Sequence, residues 1–409
     1  MFQKKTRILY VNTRFYGGGA EKIARQLYEG VQKDPRFETF FLEGRETEGS
    51  DWYIYPKRGF FKYINSVKSY ISNNQRKVDE YAYKRIINII TTYEIDIIHF
   101  HNIHGNYMGI EDILEIQKYC KIVWTLHDMW LLTGHCAQPI NCSKWIVEEC
   151  NQCNRLDLYP MVRKDISNKM YKIKERVTKE CNITYILPSR WIFEKCQDSF
   201  INEKDRLLIY NGINTTIYTP QRKDILRDKY NVKRDKFVIV MGSSDLKSSY
   251  KGMDIILEAL ERLEDKDRFS LVIFGNNEVK VGEEYEYHYM GYINDEIKMR
   301  DIYSLGDVFI LPSIAETFGC AITESFAVGT PVIASNVGGI SEQIDKDTGW
   351  LFESGNVLNL VEMINAAFES RDKLEKMGQR CREKVEKFFS ENQMIELHKE
   401  LYKRIVDSN

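Results

Sequence analysis

The feature that most constrains this chain is an alternation of short β-branched runs with longer amphipathic segments, occurring in two successive series. In the first half Ile8–Asn12, Ile95–His99, Lys121–Leu126 and Thr184–Pro188 read as strands. In the second half Phe237–Met241, Ser270–Phe274, Val308–Pro312 and Pro331–Ala334 do the same. Helical patterns such as Ala20–Gln32, Met253–Leu263 and Ala321–Val328 lie between them. Near-continuous apolar strands alternating with helices mark parallel sheets covered on both faces. A chain of 409 residues also exceeds what one hydrophobic core usually organises. The predicted fold class is therefore α/β, with two Rossmann-like domains in tandem. Asn211-Gly212 marks a turn at the seam and Pro220 closes the connection, giving domains at 1–213 and 214–390. Residues 391–409 read as a helix that either stays with the second domain or crosses back to the first.

Composition narrows the class of function. The 43% hydrophobic and 29% charged content is that of an ordinary globular protein. No apolar run approaches the ~20 residues of a membrane-spanning helix. The apolar stretch Ile8–Val11 after Lys4–Arg7 is too short for an export signal, so a cytoplasmic location is expected. The nine cysteines should then be reduced and form no disulfide framework. A net charge of −2 gives no sign of a nucleic-acid partner. The balance hides an asymmetry: residues 1–215 carry 32 Lys and Arg against 26 Asp and Glu, the remainder 26 against 34.

Ligands in open α/β sheets sit beyond the carboxyl ends of the strands. Val308–Pro312 reads as a buried strand ending in a turn, and Glu316 lies on the loop just after it. Glu324 falls about one turn into the following helix. Gly319 allows close backbone approach at the start of that helix, where amides and the macrodipole favour an anion such as a diphosphate. A carboxylate on each side suits the hydroxyls of a sugar and a ribose. Solvated helix charges are the plainer alternative.

The stretch from Glu316 through Glu324 to Ala334, continued by Asn336-Val337-Gly338-Gly339, closely resembles the E-x7-E region of the family 4 retaining glycosyltransferases, which have the GT-B fold. Lys251-Gly252-Met253-Asp254, Pro188-Ser189-Arg190-Trp191, Tyr210–Asn214 and Gly17-Gly18-Gly19-Ala20-Glu21 extend the resemblance over almost the whole chain. It implies two Rossmann-like domains facing each other across a cleft, the first binding the acceptor and the second a nucleotide-diphosphate sugar. Glu316 would hold the donor sugar hydroxyls, Glu324 the ribose hydroxyls, and Lys251 would neutralise the leaving diphosphate. Thr317, Phe318, Gly319 and Cys320 would line the donor site. An Arg that the family often carries before the Lys is absent here, and Lys247 stands as its substitute. His127, after a strand end, would sit near the donor sugar and the reaction centre. The Gly18-Gly19 backbone would approach the donor. The Gly-rich loop lacks G-x-G-x-x-G spacing, so no dinucleotide cofactor is indicated.

Three further groups remain. His99, His101 and His104 cluster at a strand end, and acceptor-site or packing roles are preferred to metal binding because successive strand residues face opposite sides. The family also needs no catalytic metal. Cys136, Cys142, Cys150 and Cys153 end in a C-x2-C pair and suit a structural zinc ion, with His135 able to replace one thiolate; an irregular loop with buried thiols is the alternative. The basic and aromatic segment Lys57–Arg85 suits an anionic membrane surface, as for an enzyme with a lipid-linked acceptor, or else a solvated helix.

The expected reaction is retaining transfer of a sugar from a UDP- or GDP-sugar to a saccharide or lipid-linked acceptor. Resemblance of Trp124–Cys153 to enzymes of bacterial surface-polysaccharide assembly suggests that setting. A nucleotide-sugar epimerase and a silent nucleotide-sugar binding protein are the competing readings.

Overall fold

The computed structural model describes residues 4–57, 67, 68, 70, 71, 73 and 79–408. They divide into two compact units, the first comprising residues up to 210 together with those from 394 onward, the second residues 211–393.

The first unit is built on seven strands: β1 Thr6–Asn12, β2 Phe37–Arg45, β3 Trp52–Tyr55, β4 Ile97–Phe100, β5 Lys121–Thr125, β6 Ile183–Leu187 and β7 Arg206–Leu208. Their order is β3-β2-β1-β4-β5-β6-β7 and every pairing is parallel. Ile8, Leu9, Tyr10 and Val11 of β1 are all fully buried. Ile8 and Tyr10 enter one apolar cluster, Leu9 and Val11 another, because alternate residues face opposite sides of a sheet covered on both. The helix Gly19–Gln32 covers one face through Ile23, Ala24, Leu27 and Val31. Met394, Ile395, Leu401 and Tyr402 of the C-terminal helix Glu391–Asp407 join that same cluster. Tyr402 is tied there by its hydroxyl, 3.1 Å from that of Tyr10 and 2.7 Å from Nδ1 of His99.

The second unit repeats the plan with β8 Phe237–Asp245, β9 Phe269–Asn276, β10 Glu286–Tyr289, β11 Val308–Leu311, β12 Val332–Ser335 and β13 Gly349–Phe352. The order is β10-β9-β8-β11-β12-β13, again all parallel. In each sheet the first strand sits inside, and the strand order reverses on either side of it. That places a switch point between β1 and β4 and another between β8 and β11, the positions where doubly wound sheets open a crevice.

Every strand expected from sequence is present, within two residues at its start and with β8 and β9 running on further than expected. The unit boundaries fall at 210/211 and 393/394 rather than 213/214 and 390/391. Ile213 bridges Ser390 in parallel, and a side chain on Gly212 would meet the Glu391 backbone at 2.6 Å. Residues 211–214 are thus lashed to residues 389–391 inside the second unit.

Candidate active site

At the β8/β11 switch point the chain brings together two residues far apart in sequence. Nζ of Lys251 donates to Oε1 of Glu316 at 2.5 Å, and Oγ of Ser313 donates to the same oxygen at 3.0 Å. Two backbone contacts set this pairing. Gly252 has φ +63°, and a Cβ there would stand 2.2 Å from the Pro312 carbonyl oxygen, so only glycine lets the lysine turn pack on the end of β11. The Tyr250 carbonyl also accepts from the Ile314 amide at 2.9 Å. On the other side Gly339 N–H donates to the Glu316 carbonyl at 3.1 Å, and Gly338, at φ +53°, lies where a Cβ would overlap that oxygen at 1.8 Å. The Glu316 carboxylate raises the Lys251 pKa, fixing the ammonium form. Among the described residues Oε2 of Glu316 takes no hydrogen bond.

The helix Cys320–Ala327 starts just beyond. Its opening amides are partly engaged: Gly319 N–H donates to Oε1 of Gln343 at 3.2 Å and Cys320 N–H to the Phe318 carbonyl at 3.0 Å. Gln343 thereby takes one of the amides expected for an anion. Thr317 and Phe318 are buried, the latter packing edge-on against Phe389. Cys320 is half-buried, with Nδ2 of Asn211 4.0 Å from its sulfur. Glu324 accepts from the buried Tyr303 hydroxyl at 3.2 Å, an acidic-side anchor that the sequence did not disclose. Burial, and next the Glu324 charge, hold the Tyr303 phenol protonated. Lys247 is exposed on the loop after β8, its amide bonded to Asp245.

The first unit's switch point has a different chemistry. Gly18 caps the Gly19–Gln32 helix, and Gly17 to Gly19 are exposed. Behind them Glu43, fully buried at the end of β2, accepts from the amides of Phe15 and Thr47 and the hydroxyls of Thr47 and Ser50. A carboxylate there is where a dinucleotide fold would seek a ribose; here the loop's own donors consume it. His127 stands half-buried past β5, its Nε2 2.8 Å from Nδ1 of His101 and its ring stacked on that ring. Nε2 is thereby engaged, and Nδ1 is the ring's other hydrogen-bonding atom. Burial lowers the His127 pKa to about 4, so the ring is neutral at ordinary pH. His99 bonds Tyr402 and Thr125, and its ring stacks on His101 at 4.4 Å. These two histidines share a face, being two residues apart, contrary to the reading that alternation separates them. His104 bonds Asp128 at 2.8 Å instead.

Residues 126–166 hold the cysteine group. His135, Cys136, Cys142, Cys150 and Cys153 line one cavity. No three His, Cys, Asp or Glu side chains among the described residues stand in ligating geometry about one point. All nine cysteines are free thiols. Of the segment 57–85, residues 58–66, 69, 72 and 74–78 lie outside the described residues. Lys68 and Lys84 of the remainder pair with Asp79 and Glu80. No described helix is long and apolar enough to cross a membrane.

Residues 222–384 match the family described as glycosyl transferases group 1. A putative colanic acid biosynthesis glycosyl transferase of Escherichia coli K12, WcaC, is 25% identical over 279 residues, 65% of this chain and 66% of that relative. A solved sucrose-phosphate synthase of Thermosynechococcus elongatus superposes with a TM-score of 0.77 at 17% identity, over 99% of this chain and 100% of its own. The Anabaena protein HepE, solved in complex with UDP and glucose, gives 0.68 at 16% identity over 97% of this chain and 99% of its own. With two doubly wound parallel sheets and these neighbours the chain has the GT-B fold, and its residues 222–384 are similar to the glycosyl transferases group 1 family.

Proposed function

We propose that this chain is a retaining glycosyltransferase of family 4, moving a sugar from a UDP- or GDP-sugar to a saccharide or lipid-linked acceptor in bacterial surface-polysaccharide assembly. The observation that carries the reading is the Lys251–Glu316 pair at the β8/β11 switch point. An ammonium and a carboxylate side by side suit the two ends of a nucleotide-diphosphate sugar. Lys251 faces the diphosphate, and the unbonded Oε2 of Glu316 accepts from a sugar hydroxyl. Glu324, braced by Tyr303, takes the ribose hydroxyls. The polysaccharide setting is supported by the likeness to the colanic acid relative.

The reaction in this reading is front-face substitution. The bond from the anomeric carbon to the diphosphate oxygen loosens first, and the negative charge growing on the nucleoside diphosphate is met by Lys251. The acceptor hydroxyl oxygen then bonds the anomeric carbon from the same face, and its proton passes to a phosphate oxygen of the leaving group. His127, neutral and held by His101, serves as a hydrogen-bonding group near the sugar rather than as a charged acid. A lipid-linked acceptor would bring the chain to the inner face of a membrane, with the segment 57–85 as the contact.

The test is nucleotide release from a panel of UDP-, GDP- and ADP-sugars, with and without an extract of lipid-linked acceptors, comparing wild type with Glu316→Ala. Acceptor-stimulated release from one donor, lost in the variant, establishes transfer and names the donor. Donor binding without any release sinks the proposal in favour of a binding protein, and an isomerised donor sugar in favour of an epimerase.

A further inference from the structure

Between the end of β5 and the helix Ser167–Glu180, residues 126–166 form only a 3-10 turn at Trp130–Leu132 and one helical turn at Lys144–Val147. So long an irregular segment in a compact unit calls for something that holds it. Its backbone is also strained. Asn141, Glu149, Cys150 and Gln152 have φ of +51°, +49°, +56° and +49°, conformations that non-glycine residues keep only where their surroundings enforce them.

The side chains inside this segment are donors for a soft cation. Cys136 and Cys150 are buried, and with Cys142, Cys153 and His135 they line one cavity. The Gly134 amide donates to Sγ of Cys150 at 3.0 Å, which orients that sulfur within the cavity. Nδ1 of His135 lies 3.2 Å from the Pro160 carbonyl, which can only accept, so Nδ1 carries the proton and Nε2 the lone pair. A backbone carbonyl holding one ring nitrogen is the usual support of a metal-binding histidine. That lone pair faces Sγ of Cys153 at 3.6 Å. With Zn–S of ~2.3 Å and Zn–N of ~2.0–2.1 Å, the sulfur-to-nitrogen edge of a tetrahedron is about 3.5 Å. Beside the cavity Nζ of the buried Lys174 donates to the carbonyls of Trp130, Thr133 and Gly134 at 2.6, 3.0 and 3.4 Å. It pins the turn that carries His135 and Cys136.

We propose that this cavity is a structural Zn²⁺ site, its four positions filled from the thiolates of Cys136, Cys142, Cys150 and Cys153 and Nε2 of His135. Three donors do not yet converge on one point, so binding requires the thiols to rotate inward. Each thiol that ligates releases its proton to solvent. The ion would cross-link the cysteine-bearing turns of this segment and takes no part in sugar transfer.

The full chain, purified without chelator from zinc-supplemented culture, is expected to hold about one zinc per molecule by elemental mass spectrometry. After removal of zinc under reducing conditions, added Co²⁺ should give the thiolate charge-transfer band and intense visible bands of a tetrahedral site, displaced by Zn²⁺. Cys150→Ser with Cys153→Ser should abolish both signals, and His135→Ala should shift the cobalt spectrum if the imidazole is one of the four. Should the cysteine variants fail to fold, the wild-type zinc content and cobalt spectrum decide the matter alone. Less than a tenth of a zinc per chain with no cobalt charge-transfer band overturns the proposal. So do disulfides among these four cysteines in the reduced cytoplasmic preparation.

Discussion

Where β1 and β4 diverge in the first unit the chain places stacked imidazoles; where β8 and β11 diverge in the second it places an ammonium on a carboxylate. Both crevices come from one strand order, so topology does not decide their chemistry. What differs is how each group is kept in its working state. The histidines are held neutral by burial, whereas Lys251 is held charged by the Glu316 carboxylate. A neutral, hydrogen-bonding surface suits hydroxyls, and a charged pair suits a diphosphate and a sugar. The contrast teaches that a repeated fold supplies two positions, and the residues at the strand ends specialise them.

The comparison breaks most severely in acid. An imidazole titrates near 6.5 in the unfolded chain, while burial holds His127 and His398 at about 4 in the folded first unit. Across that window the unfolded state binds more protons, so stability falls as pH drops, by roughly 3 kcal/mol for each such histidine once the window is crossed. His99 and His101 add to this in the same direction, while Asp112, pushed up to about 7 by burial, takes up a proton in the folded unit and offsets about one histidine's share. The second unit carries one histidine, His288. Its lowered carboxylates, such as Asp345 beside Lys384, lose their contribution only as pH falls through the ordinary carboxylate range and below. The first unit should therefore unfold first. Five tryptophans lie in it and Trp350 in the second, so a Trp350→Phe variant gives fluorescence from the first unit alone. A denaturation midpoint unchanged between about pH 7 and about pH 4.5 would show that neutral imidazoles do not distinguish the units.

Next in size is Glu316→Ala, expected to cut turnover about 100-fold or more with the fold retained, on the scale of losing one electrostatic contact to a transition state. Lys251→Ala should cost as much, and the double variant little more, because each single change already breaks the pair. Additive losses would mean that the two residues act separately. His127→Ala, lacking a charged partner to strand, should cost about 10-fold, an order below the ion pair.

The strands built of aliphatic residues, such as Val308–Leu311, were legible because both their faces are buried and the run is unbroken. Phe37–Arg45 was not: its acidic residues interrupt the apolar pattern, and one of them, Glu43, is buried for a reason no periodicity reports, the donors of Phe15 on an earlier loop and of Thr47 and Ser50 just beyond the strand. Glu316 and Lys251 were each legible through their motifs, but their pairing was not. It depends on Gly252 reaching the Pro312 carbonyl, a contact across the sheet. The role of Gln343 at the helix start was equally hidden, since nothing local marks a glutamine that turns back onto a glycine amide.

Gly338→Ala tests how far the second crevice depends on backbone. A Cβ there meets the Glu316 carbonyl at 1.8 Å and φ is +53°, so the loop must move. A loss of about 2–4 kcal/mol in the stability of the second unit is expected, with turnover falling alongside. Gly355→Ala supplies the control. Its φ is +80° but nothing lies within 4 Å, so only the conformational cost of roughly 1–2 kcal/mol applies, without effect on turnover. Equal destabilisation by both changes would leave conformation, not the Glu316 contact, as the cause.

The smallest effect expected is at Glu324. Glu324→Gln keeps the size of the side chain and an oxygen able to accept from Tyr303, removing only charge. If the carboxylate takes ribose hydroxyls in both ground and transition state, KM for the donor should rise about 10-fold, or ~1.4 kcal/mol, while kcat holds. Tyr303→Phe leaves the charge but removes the phenol's hydrogen bond to the carboxylate, and a rise of only about 3-fold is expected, one modest hydrogen bond's worth. A fall in kcat at constant KM in Glu324→Gln would move this residue from binding to chemistry. The second crevice would then work through two carboxylates rather than one ion pair, and its contrast with the imidazole-lined first crevice would have to be drawn around a carboxylate pair.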